Sequence, residues 1–143
     1  NDDTYWLSND YLTRKIKNIK ASNILVLSDS CYSGTLTRSI NFNNNDKKPL
    51  SVYLNTKSRM VITSGGLSPV LDSGGAGHSI FARFLINYLS TADKHFTATD
   101  LYTSINKKVT KLSSSLGVTQ VPVLASLPRS GHVGPDFVFL KNK

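Results

Sequence analysis

The chain has 143 residues, 39% of them hydrophobic and 18% charged, which suits one domain with a real core. No apolar run approaches the ~18 residues of a membrane-spanning helix, and no leader-like segment opens the chain. Lys and Arg number 17 against 9 acidic residues, for a net charge of +8, and every acidic side chain is an aspartate. The basic residues are scattered, and no zinc-finger or RNA-recognition signature is present, so the charge alone does not argue for nucleic acid. One cysteine excludes an internal disulfide and an all-cysteine metal site, and predicts a reducing, cytoplasmic setting. The start at Asn1 rather than a methionine predicts origin in a larger protein.

In chain order, "NDYLTRKIKNIKAS" predicts a helix capped by Asn9 or Asp10, with Leu12, Ile16 and Ile19 on one face. Its alternating cations in "RKIKNIK" suit a solvated helix face. "NILVLS" (23–28) is a short, branched apolar run that predicts a strand buried on both faces, as in a parallel sheet. "NFNNNDKKPL" (41–50) is a solvated loop, and "SRMVITSGG" (58–66) is a second buried strand running into a glycine turn. After the glycine loop "LDSGGAGH" (71–78), "SIFARFLINYL" (79–89) reads as a packed helix starting near His78 or Ser79. "TATDLYTSINKKVTKL" (97–112) reads as another, capped by Thr97 or Thr99, with Leu101, Ile105, Val109 and Leu112 as its stripe. "VPVLAS" and "GPDFVFLK" close the chain as strands. Strands alternating with helices predict an α/β sandwich around a mostly parallel sheet, in a single domain spanning 1–143.

Chemistry concentrates in "LVLSDSCYSG" (25–34). Cys31 follows the carboxyl end of a buried strand, where reacting groups of open α/β sheets gather, and small residues surround it. Two readings stand: a nucleophile at a crevice, or a small apolar plug. Asp29 lies two residues earlier and faces the same way if the strand geometry persists. A carboxylate raises a thiol's pKa, so Asp29 is a poor activator; it reads as a receptor for a cationic substrate group or as an acceptor of turn hydrogen bonds. A thiol with a pKa of ~8.5 needs a base. His78, His95 and His132 are the three imidazoles present, and each also reads as an ordinary surface or capping residue.

The stretch "DSCYSG" resembles the nucleophile motif of metacaspases and other caspase-like cysteine peptidases. "MVITSGG", "GHSIFARFLINYL", "QVPVLAS" and "GPDFVFL" resemble later segments of that family, in its order, over roughly residues 5–140. The resemblance implies a caspase-like three-layer α/β/α sandwich and peptide-bond hydrolysis through an acyl-enzyme on Cys31. It also implies that the general-base histidine lies about 50 residues before the cysteine, upstream of Asn1. The first strands of the sheet, and a His-Gly motif, would then come from an N-terminal fragment of the same precursor, leaving the strand at 23–28 with an unpaired side. The aspartate matching Asp29 implies cleavage after Arg or Lys, with Asp72 as a second carboxylate and Ser64 and Gly65 beside the substrate backbone. Arg38, Lys47 and Lys48 are candidate processing positions in or beside the loop at 41–50. No metal or other cofactor is implied; calcium activation has no EF-hand pattern to support it. The expected partners are that fragment and protein or peptide substrates, with no nucleic acid and no membrane. The rival reading is a catalytically inactive caspase-like module that binds other proteins.

Overall fold

The computed structural model describes residues 8–30, 38–39, 48–65 and 77–141. The elements run α1 (Asn9–Asn18), β1 (Asn23–Ser28), β2 (Arg38–Ser39), α2 (Leu50–Asn55), β3 (Ser58–Thr63), α3 (Ile80–Thr91), β4 (Phe96–Thr97), α4 (Ala98–Ser115), β5 (Val123–Ser126) and β6 (Val138–Phe139). They form a mixed α/β structure. The main sheet has the order β1-β3-β5-β2. Only β1 and β3 are parallel; β5 runs antiparallel to both β3 and β2. The expectation of a mostly parallel sheet is therefore corrected among the described residues. The parallel reading was inferred from apolar runs, which report burial but not strand direction.

β3 is the centre of the core. All six of its residues are buried. Met60 and Ile62 face Phe81, Leu101 and Ile105 of α3 and α4, while Val61 faces Ile16 of α1 together with Ala125 and Leu127. Helices thus pack on both faces of the sheet, and each fully buried aliphatic side chain contributes roughly 1.5–3 kcal/mol. β1 follows the same alternation, Leu25 toward α3 and α4 and Ile24 and Val26 toward α1, but it is only partly buried and Leu27 is 39% exposed. The expected burial of this strand on both faces is met only in part, because β1 ends the sheet among the described residues.

The helix ends follow their capping chemistry. Ser8, not Asn9 or Asp10, caps α1 by accepting the Tyr11 N–H at 3.2 Å. The helix stops at Asn18, so Ile19 leaves the helical face in extended backbone and is 47% exposed. Ser79 rather than His78 caps α3. Thr97 rather than Thr99 caps α4, in a reciprocal capping box with Asp100. The stripe of α4 is buried at Leu101, Ile105 and Val109, and the helix continues beyond the expected end to Ser115. Three short elements, α2, β2 and β4, are new relative to the sequence reading. β4 pairs with β6 in a separate two-stranded ladder, so the closing "GPDFVFLK" does not join the main sheet. Aromatic contacts hold that ladder: Phe96 stacks on Phe139 at 4.5 Å and meets Tyr88 edge-on at 5.1 Å.

At the start of β3, Arg59 is only 1% exposed. Its guanidinium donates to the carbonyls of Ile19, Ala21, Ser22 and Ser58, so backbone oxygens at the end of α1 and its link to β1 replace water around the charge. Its backbone N–H donates to Nδ1 of His132 at 3.0 Å.

Candidate active site

The carboxyl ends of β1 and β3 lie side by side. Ser28 pairs with Thr63 in register, and the Ser64 N–H continues the ladder onto the Ser28 carbonyl at 2.8 Å. The chain then leaves β1 through exposed Asp29 and Ser30, whose side chain approaches Ser28 hydroxyl to hydroxyl at 3.2 Å. Cys31 is the next residue along, and it lies outside the described residues, as do Lys47 and Asp72.

Asp29 accepts a hydrogen bond from the Ser79 hydroxyl. The same Ser79 oxygen accepts the Ala82 N–H at 2.9 Å as the cap of α3. The carboxylate thus sits at the amino end of α3, where unpaired N–H groups favour negative charge. Among the described residues its partner is this side-chain hydroxyl at the start of α3, 50 residues away in the chain. Asp29 is exposed, and so a carboxylate held in place faces outward two residues before Cys31 in the chain.

Two side-chain hydrogen bonds fix the turn leaving β3. The Thr63 hydroxyl donates to the Gly65 carbonyl at 3.0 Å, and Gln120 Nε2 donates to the Ser64 carbonyl at 3.0 Å. Gln120 is itself 1% exposed, and its backbone N–H donates to the Ser113 hydroxyl at 3.3 Å near the end of α4. Ser64 and Gly65 are both buried, and the Ser64 hydroxyl has no hydrogen-bond partner among the described residues. The structure therefore brings Asp29, Ser64 and Gly65 to one end of the sheet. Gln120 was missed as a supporting residue; a lone glutamine between a helix and a strand carries no periodic signal, and only the fold reveals what its amide reaches.

The three imidazoles separate clearly. His132 is bonded to Arg59 at the start of β3, four residues or about 13 Å of strand from Thr63. Burial is the main cause holding its pKa below the ordinary histidine value, with the Arg59 charge adding and Asp136 opposing. His95 accepts the Lys141 N–H at 2.8 Å beside the β4–β6 ladder. His78 is exposed and immediately precedes the Ser79 that binds Asp29, so it is the imidazole nearest to this end in the chain.

Of the candidate processing positions, Arg38 has its backbone in β2, opposite Ser126, and exposed Lys48 donates its N–H to the Tyr53 hydroxyl at 3.3 Å. No cluster of three or more metal-ligating side chains occurs among the described residues. No helix among them is long and apolar enough to cross a membrane. Comparison with protein-family models, with curated proteins and with solved structures finds no match.

Proposed function

We propose that this chain is the cysteine-bearing part of a caspase-like cysteine endopeptidase that cleaves after Arg or Lys. The observation that carries the reading is the position of Asp29, the first residue of "DSCYSG". It follows the carboxyl end of β1, whose Ser28 pairs with Thr63 at the end of β3, and it is tethered to the start of α3. A caspase-like sandwich, with further strands continuing the sheet past β1, is the finer fold this reading requires.

In the proposed reaction the Cys31 thiolate attacks the carbonyl carbon of the scissile bond. An imidazole from the N-terminal fragment first takes the thiol proton and then delivers it to the departing amine. Water, deprotonated by the same imidazole, hydrolyses the thioester and restores the thiol. Backbone N–H groups near Cys31 and in the fragment hold the oxyanion. Asp29 supplies the charge that favours a basic side chain at the cleaved position, and the fixed Ser64–Gly65 turn lines the path of the substrate backbone. Cleavage in the 41–50 region at Lys47 or Lys48, or at Arg38, is self-processing in this scheme.

The test joins the chain to the polypeptide encoded immediately upstream and measures hydrolysis of fluorogenic Arg, Lys and Asp reporter peptides. Cleavage of the Arg and Lys reporters is expected, with Cys31→Ala reducing it at least 1,000-fold. His78→Ala should leave it within about twofold, because the base comes from elsewhere. Retained activity in Cys31→Ala removes the mechanism, and abolition by His78→Ala moves the base into this chain. A joined protein that cleaves no reporter, yet still binds a partner protein, supports the non-catalytic module instead.

A further inference from the structure

We propose that the groove between α3 and α4 binds an acidic polypeptide segment carrying an apolar anchor. The inference is independent of the peptidase reading. The groove is a hollow of about 390 Å³ lined by Arg83 and Phe84 of α3 and by Lys108, Lys111, Leu112 and Ser115 of α4. The four α4 positions recur at helical spacing and share one face. Phe84 and Leu112 are half-buried members of the core edge, so they form an apolar floor that does not move freely.

Three cations ring that floor. The Arg83 guanidinium and the Lys108 ammonium each lie 6.0 Å from the centre of the Phe84 ring. Lys111 adds a third, and no carboxylate lines the groove among the described residues. Basic heads around an apolar seat match a segment with one aromatic or aliphatic side chain flanked by Asp or Glu. Alternative occupants fit less well. A second copy of this chain carries the same +8 charge, and its only adjacent acidic pair is Asp2–Asp3. Nucleic acid would follow a track of cations along a backbone, whereas these gather around one hollow. A small ligand would leave much of its surface in water in a groove open along the two helices.

The groove lies toward the amino end of α3. Arg83 donates its N–H to the Ser79 carbonyl, so it stands one helical turn after the residue whose hydroxyl binds Asp29.

The experiment uses the 143-residue chain and a fluorescein-labelled peptide with a central Phe between paired acidic residues, read by fluorescence polarisation. Saturable binding that weakens with salt is expected. The exposed pair Lys108→Ala and Lys111→Ala should weaken it roughly 3- to 10-fold, with the helical content checked by circular dichroism. Lys15→Ala with Lys17→Ala removes equal charge from α1 and should change it less than twofold. Replacing the peptide's Phe by Gly should also weaken binding. The proposal is overturned by absent binding, by equal losses in the two double variants, or by indifference to the Phe. It is also overturned if binding of an oligonucleotide or an anionic vesicle, and not of the peptide, depends on Lys108 and Lys111.

Discussion

β1 and β3 are neighbours in register, and both read in the sequence as continuous apolar strands, yet the structure treats them differently. Every residue of β3 is buried, whereas β1 is partly open and exposes Leu27. The cause is their place in the sheet. β3 lies between β1 and β5, while β1 has β3 as its sole neighbour among the described residues. An apolar run thus states how much burial a strand can use, and the topology decides how much it receives. The surplus on β1 is what a sheet continuing past it would cover.

The sharpest way to break this contrast is to truncate two paired side chains. Ile62→Ala should cost about 2–5 kcal/mol, since its side chain is fully buried, while Leu27→Ala, its partner in register, should cost about 1 kcal/mol. Urea unfolding of both variants measures the difference, and equal costs would mean that β1 is already covered. Next, Gln120→Ala should destabilise by about 1–3 kcal/mol, because the buried Ser64 carbonyl loses its donor. A smaller loss would show that the end of β3 is no more firmly held than that of β1.

Hydrogen exchange sharpens the contrast residue by residue. Ser58 and Ser64 donate to the carbonyls of Ser22 and Ser28, so the even-numbered backbone groups of β1 face β3. The amides of Leu25 and Leu27 therefore face the outer edge and should exchange at least ~10-fold faster than that of Ile62. On the proposed reading, adding the N-terminal fragment should slow them; unchanged exchange would argue against a strand docking there.

The smallest effect is a pH dependence at the start of β3. Burial depresses the folded-state pKa of His132 below 6.5, so below that pH the unfolded chain binds more protons. Its stabilising contribution is full above pH 6.5 and falls as the pH drops through the depressed value. Asp136 acts oppositely: burial raises its pKa above 3.8, so its contribution grows as the pH falls toward that value. Comparing thermal unfolding of the wild type and His132→Gln between pH 7 and pH 5 isolates the histidine. Identical slopes would mean that the Arg59–His132 contact is not maintained in solution.

Much of the fold was legible because it rests on local signals. The strand at 23–28 matches β1, and the Leu101, Ile105 and Val109 stripe matches the buried face of α4. Strand direction was not legible, since β5 reads the same whether it runs with β3 or against it. The two-residue strands β2 and β4 are too short to show a period and exist through their partners. At the candidate site, the sequence pointed to Asp29, Ser64 and Gly65, which the fold gathers at one end. It gave Ser79 only as a helix start and was silent on Gln120; their side chains matter at this end through contacts 50 and 56 residues away.

The cradle around Arg59 has a consequence for how this sequence can drift. The guanidinium reads main-chain oxygens alone at positions 19, 21 and 22, where the side chains are exposed. Substitutions there leave its ligands intact, while Arg59→Lys replaces a five-donor planar fork by a point charge that cannot span the same oxygens. The linker is thus free to vary in identity, and the burden of keeping its shape falls on one distant arginine.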